Sequence, residues 1–156
     1  MEKQLEILII EDTEENREAA KKACPEHLKL GFAEDYAEAV KEIESGKYAG
    51  LIIDLNFPRT KGQSPEQLGF ELVKKYYPCL PYIVFTAGIK HHGTENARIL
   101  LEEDEVKNLC CRITPGKNTP EGWKEAFKFL QEIGNLEMNY AALSIYLKAF
   151  GEWPRW

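Results

Sequence analysis

No apolar run in the chain approaches the ~20 residues that span a bilayer, so no transmembrane helix is expected. Basic residues are in the minority: 20 Lys and Arg against 26 Asp and Glu leave a net charge of −6. A general binder of nucleic acid or of anionic membranes needs a basic field, and this balance argues against both. The four cysteines, Cys24, Cys79, Cys110 and Cys111, form no CxxC pair and no metal-type spacing. Adjacent Cys110 and Cys111 would point to opposite faces of a strand, which suits buried thiols better than ligands. No GxGxxG segment is present, which excludes the usual dinucleotide site. The first apolar run is followed by Glu11-Asp12-Thr13-Glu14-Glu15, which repels a free phosphate instead of cradling it. No secretory leader is expected, since Met1-Glu2-Lys3-Gln4 leads straight into that run. A reduced, cytoplasmic protein is the expectation.

The 156 residues are 44% hydrophobic and 29% charged, which suits one soluble domain with a real core. Leu5 to Ile10 is a nearly continuous apolar run of the kind that fills a parallel sheet buried on both faces. Glu14 to Cys24 reads as a helix closed by Pro25, Leu28 to Ala33 as a strand, and Asp35 to Glu44 as a helix stopped by Gly46. A third strand spans Ala49 to Leu55 and carries Asp54 near its end. Ser64-Pro65-Glu66-Gln67 reads as a helix start, with Ser64 as cap and Gln67 closing a capping box. Leu68, Leu72, Val73 and Tyr76 form that helix's buried face. Pro81 to Thr86 is a fourth strand, Thr94 to Glu102 a helix, and Leu109 to Ile113 a fifth strand. Thr119-Pro120-Glu121 opens a final strong helix whose face is Trp123, Ala126, Phe127, Leu130 and Ile133, with Gly134 as its stop. Strict alternation of strands and helices predicts a doubly wound α/β domain with a five-stranded parallel sheet.

In open α/β sheets the site lies at the carboxyl ends of the strands. Those ends carry Glu11-Asp12, Asp54, Thr86 and Thr114. Clustered carboxylates repel one another, and a hard divalent cation such as Mg²⁺ relieves that repulsion. An Asp at a cation site can also accept a phosphoryl group, with charge neutralisation and positioning as the catalytic work.

Ile7 to Arg17 resembles the opening of a two-component response-regulator receiver domain. Leu51-Ile52-Ile53-Asp54-Leu55-Asn56-Phe57-Pro58 is similar to that family's phosphoacceptor strand and following loop. Gly69-Phe70-Glu71-Leu72 resembles the segment opening its third helix, and Ile83-Val84-Phe85-Thr86-Ala87 its fourth strand. The resemblance covers about residues 4 to 134 and implies a flavodoxin-like, CheY-like sheet of strand order 2-1-3-4-5. It implies Asp54 as phosphoacceptor, and Mg²⁺ held by Glu11, Asp12, Asp54 and the backbone carbonyl of Asn56. Thr86 would be the hydroxyl that senses the phosphoryl group. The implied protein is not an enzyme but a phosphoryl acceptor, at most slowly self-dephosphorylating.

Three departures stand out. Thr114 occupies the place of the Lys that precedes a Pro after strand five in receivers, although Lys117 lies close by as a substitute cation. Cys111 occupies the place of the family's aromatic switch residue. Arg59 to Gln63 lengthens the loop after Pro58, either as an exposed basic loop or folded over the site to supply charge. His91-His92 reads as an exposed loop pair. A haloacid-dehalogenase-like phosphatase would carry a second Asp where Asn56 stands.

Two functional readings follow. The first is a stand-alone receiver in a phosphorelay, taking a phosphoryl group from a histidine kinase or phosphotransfer protein and signalling to a downstream protein target. The second is a pseudo-receiver that binds proteins independently of phosphorylation. Glu11, Asp12, Asp54 and Thr86 support the first; Thr114 and Cys111 support the second. Residues 1–134 are expected to form the receiver-like domain and 135–156 an aromatic-rich helical extension, with no DNA-binding module expected. Within the extension Leu136, Tyr140, Leu143, Leu147 and Phe150 make a helical stripe. That stripe predicts either a homodimer or partner contact through 136–156, or a helix folded back on its own domain with Trp153 and Trp156 covering a groove.

Overall fold

The structure, a computed structural model, describes residues 4–76, 80–86, 111–113, 117–133 and 136–152. In chain order the elements are β1 (Leu5–Ile10), α1 (Glu14–Ala23), β2 (Leu28–Ala33), α2 (Tyr36–Glu44), β3 (Gly50–Ile53), β4 (Phe57–Pro58) and β5 (Pro65–Glu66). They continue as α3 (Gly69–Tyr76), β6 (Tyr82–Thr86), β7 (Cys111–Ile113), α4 (Pro120–Ile133) and α5 (Leu136–Phe150). The main sheet has five parallel strands in the order β2-β1-β3-β6-β7, which is the expected 2-1-3-4-5 arrangement. The expected helix over Thr94 to Glu102, His91-His92, Cys79, Cys110, Thr114, Trp153 and Trp156 lie outside the described residues.

Alternation along each strand splits the interior into two layers. Leu8, Ile10, Leu51, Ile53 and Val84 face α2 and α3, meeting Ala39, Ile43, Phe70, Leu72, Val73 and Tyr76. Ile7, Ile9, Ile52, Ile83 and Phe85 face α1 and α4, meeting Ala19, Ala20, Ala23, Trp123, Ala126, Phe127 and Leu130. Burial on both sides is why these strands read as continuous apolar runs, and each fully buried Ile or Leu contributes about 1.5–3 kcal/mol. Asp35 caps α2 by accepting the Glu38 N–H at 2.7 Å, and Gly46 leaves the helix with φ of +79°. Among the described residues no helix is long and apolar enough to cross a membrane.

One expected boundary is wrong. Pro65 and Glu66 do not start a helix; they pair antiparallel with Pro58 and Phe57 in a small hairpin, and α3 begins only at Gly69. The capping signal at Ser64 is local, whereas Phe57 is fully buried and draws the chain back across itself. Gly69 then donates its N–H to the Leu55 carbonyl at 3.1 Å. A Cβ at this position would lie 2.4 Å from the Asp54 carbonyl oxygen, so only glycine lets α3 start this close. The expected buried face of α3 is present, with Leu68, Leu72, Val73 and Tyr76 all buried.

The extra loop spends its charge locally. Arg59 lies 3.8 Å from Glu66 and 3.4 Å from Glu71, its guanidinium stands 5.2 Å from the Tyr36 ring centre, and its carbonyl accepts the Ala37 N–H. Lys61 is exposed. The exposed-loop alternative therefore describes this segment.

The extension follows one of its two expected alternatives, a helix folded back on its own domain. The stripe on α5 is used within the chain: Leu136 enters the α1–α4 layer with Tyr140 against it, and Leu143 enters the α2–α3 layer with Leu147 against it. A Cβ on Gly50, the first residue of β3, would meet Leu136 at 3.2 Å, and one on Gly46 would meet Leu147 at 2.9 Å. The helix thus crosses the amino-terminal edge of the sheet and joins both layers. Only Phe150, last in the stripe, stays 66% exposed, and Ile145 outside it 70%. Periodicity predicted a covered face, and within the chain Leu136 and Leu143 are covered by its own core. Leu143→Ala should then destabilise the protein by about 2–5 kcal/mol in urea unfolding, whereas Ile145→Ala should stay within about 0.5 kcal/mol of wild type.

Candidate functional site

Two backbone bonds place the first carboxylates side by side. Glu11 donates its N–H to Ala33 at 2.9 Å, and Asp54 donates its N–H to Ile10 at 3.0 Å. Both residues leave the carboxyl ends of neighbouring strands, β1 and β3, at the point where the strand order reverses. Glu11 is 1% exposed and Asp54 9%. A buried carboxylate needs partners, and each has them. Glu11 Oε1 accepts the Thr13 N–H and the Asn16 side-chain amide, each at 3.2 Å. Arg17 donates to the Glu11 carbonyl at 3.0 Å and pairs with Glu34 at 3.1 Å. Asp54 Oδ1 accepts the Leu55 N–H at 2.8 Å.

The cation comes from Lys117. Its ammonium lies 3.0 Å from Asp54 Oδ1 and in direct contact with Glu11 Oε2, and the side chain is only 4% exposed. The Nζ also stands 5.7 Å from the centre of the Phe85 ring, and the Lys117 carbonyl accepts the Trp123 indole N–H.

Burial is the main force raising the Asp54 pKa; the Lys117 charge opposes it and the Glu11 charge adds to it, leaving the carboxyl pushed up to about 7. Asp12, nearer the rim, is also shifted upward, by desolvation first and Glu11 second, against Lys117 and Arg17. Glu11, Asp12 and Asp54 each offer one carboxylate oxygen within 4.8 Å of the others. Three carboxylates against one ammonium leave two negative charges when all are ionised. Hard oxygen donors with that charge suit one Mg²⁺, so the residues present fit the ion.

The expected residues fall as follows. Glu11, Asp12, Asp54 and Lys117 come together, and Asn56 follows half-buried in the loop after β3. Thr86 ends β6 at the same edge of the sheet, where β6 pairs with β3; its side chain and that of Cys111 lie outside the description. Asn16 and Arg17 had no role in the sequence reading, although their place in the first turn after Glu11 puts both within reach of it. Trp123 was legible only as a core residue, because its indole partner is a backbone carbonyl that no periodicity reveals.

Two outcomes follow for the unphosphorylated protein. The folded-state pKa of Asp54 lies above the unfolded value of about 3.9. Between those values the folded chain holds a proton that the unfolded chain has lost, so this group's contribution to stability falls as pH rises from about 4 to 7. Melts in EDTA should show Asp54→Asn gaining on wild type across that window and the difference vanishing at its acid end. Mg²⁺ at neutral pH should raise the wild-type melting temperature and leave an Asp12→Ala, Asp54→Ala double variant unmoved.

No protein-family model and no curated protein matches the sequence. Solved structures do. The RcsB response regulator of Salmonella typhimurium superposes with a TM-score of 0.58 at 22% identity over 83% of this chain, which spans 60% of that protein's length. The signal receiver domain of an HD domain-containing protein from Pseudomonas fluorescens Pf-5 gives 0.60 at 17% identity, over 89% of this chain and 99% of that one. The chemotaxis response regulator CheY4 of Vibrio cholerae gives 0.56 at 17% identity, over 82% and 99%. Likeness at this level of identity speaks to architecture, and the architecture is plain: this chain has the fold of a response-regulator receiver domain.

Proposed function

We propose that the chain is a stand-alone receiver that takes a phosphoryl group on Asp54 and signals through protein contacts. The observation that carries this reading is the Lys117 ammonium on Asp54 and Glu11, which supplies a cation at the site where Thr114 stands in the usual lysine's place. Mg²⁺ would be held by Glu11, Asp12, Asp54 and the Asn56 carbonyl, and when bound it supplies charge neutralisation at the phosphoryl oxygens. The chain's own residues do the rest. An Asp54 oxygen attacks phosphorus, the bond between phosphorus and the donor's nitrogen or oxygen breaks, and its electron pair leaves with the donor. Lys117, already between the two carboxylates, turns its ammonium to the arriving phosphoryl oxygens. Glu11, fixed by Thr13 and Asn16, holds the other side of that ammonium. Thr86 would present its hydroxyl to the phosphoryl group from β6.

A chain of this charge fits protein partners better than nucleic acid. A histidine kinase or phosphotransfer protein in the cytoplasm would deliver the phosphoryl group, and a downstream protein would read the result. Incubation with acetyl phosphate and Mg²⁺ should add the mass of one phosphoryl group to the intact protein. Asp54→Asn should abolish the addition, and Lys117→Met should slow it by roughly 10²–10³-fold, the cost of one lost electrostatic partner. A wild type that is never labelled, even by a cognate kinase, would leave a phosphorylation-independent binding module.

A further inference from the structure

Lysine carries a long flexible stem, and an ammonium that must lie between two buried carboxylates needs its main chain held. Lys117 sits in the turn just before α4, not on a strand. Its carbonyl is nevertheless tied down, because the indole N–H of Trp123 donates to it in the buried interior. Trp123 is fully buried, stacked edge-on against Phe85 at 4.8 Å and 73°, with the Phe127 ring 6.2 Å away. Phe85 also lies beneath the Lys117 ammonium at 5.7 Å. One aromatic pair therefore supports the lysine twice, through its backbone by an indole hydrogen bond and through its ammonium by a ring face.

We propose that Trp123 is a positioning residue for Lys117: its indole N–H sets the height of the turn from which the ammonium reaches Glu11 and Asp54. Its part in phosphoryl transfer rests on Asp54 being the phosphoacceptor, whereas its hold on Lys117 does not. Packing alone would need only the ring; the positioning role needs the N–H. The two are separable, since phenylalanine keeps an aromatic ring in the core and removes the donor.

The test uses the full chain and two readouts. In the unphosphorylated, metal-free protein, the Lys117 amine is titrated with an amine-reactive ester and its modification followed by peptide mass spectrometry. Trp123→Phe should be modified at Lys117 roughly three- to tenfold faster than wild type, the worth of one neutral hydrogen bond. With acetyl phosphate and Mg²⁺, the same variant should be phosphorylated slower by a similar factor. In a Lys117→Met background it should cause no further slowing, because a residue that acts through another adds nothing once that other is gone. Unchanged Lys117 protection, or slowing that simply adds to that of Lys117→Met, would overturn the proposal. If Trp123→Phe does not fold, β-(3-benzothienyl)alanine at 123 replaces the N–H by sulfur with the bicyclic shape kept, and the same outcomes decide. Should wild type take no label from acetyl phosphate or from a cognate kinase, the phosphoacceptor reading fails while Lys117 modification still decides the positioning role.

Discussion

Two carboxylates emerge side by side from the middle of a buried sheet, and one ammonium lies between them. The rest of the site follows from that contact. Removing Glu11 and Asp54 from water costs several kcal/mol each, and only close, well-partnered opposite charge offsets it. Lys117 provides the charge, while Thr13, Asn16 and Leu55 fill the remaining acceptor positions with N–H donors. Burial first, with the Glu11 charge adding to it, keeps the Asp54 affinity for protons raised against Lys117, and the balance short of neutral suits a divalent cation.

The fold delivers this cluster by holding the sheet from three directions. One layer under α1 and α4 fixes Phe85 and Trp123, and through them Lys117. The opposite layer under α2 and α3 fixes the loop after Asp54, where Gly69 allows α3 to start against the Asp54 carbonyl. At the far edge, α5 ties both layers together through Leu136 and Leu143. The end of the sheet that α5 covers is the one without the carboxylates.

The elements most easily read from the amino acids were the strands. A strand buried on both faces must be apolar throughout, so Leu5 to Ile10 and Leu51 to Ile53 announce themselves without any knowledge of their neighbours. The acidic ends were legible for a related reason: carboxylates directly after such a run are chemically out of place unless a site needs them. Ser64-Pro65 misled because its capping chemistry is local and real, yet the burial of Phe57 outweighed it. The stripe on α5 left two alternatives open for a different reason. Its period identified the covered face correctly but carried no information on what covers it.

By itself the sequence determined the strand order's raw material, the three carboxylates and the lack of a lysine at position 114. Each of these depends on residue type and spacing along a short stretch of chain. Only the tertiary structure decided that Lys117 reaches Asp54 and Glu11, that Trp123 holds its carbonyl, and that α5 closes on its own core. Those outcomes depend on which distant segments share a buried volume. Desolvation makes an unpartnered charge or N–H costly there, and no local pattern of residues records which partner will be at hand.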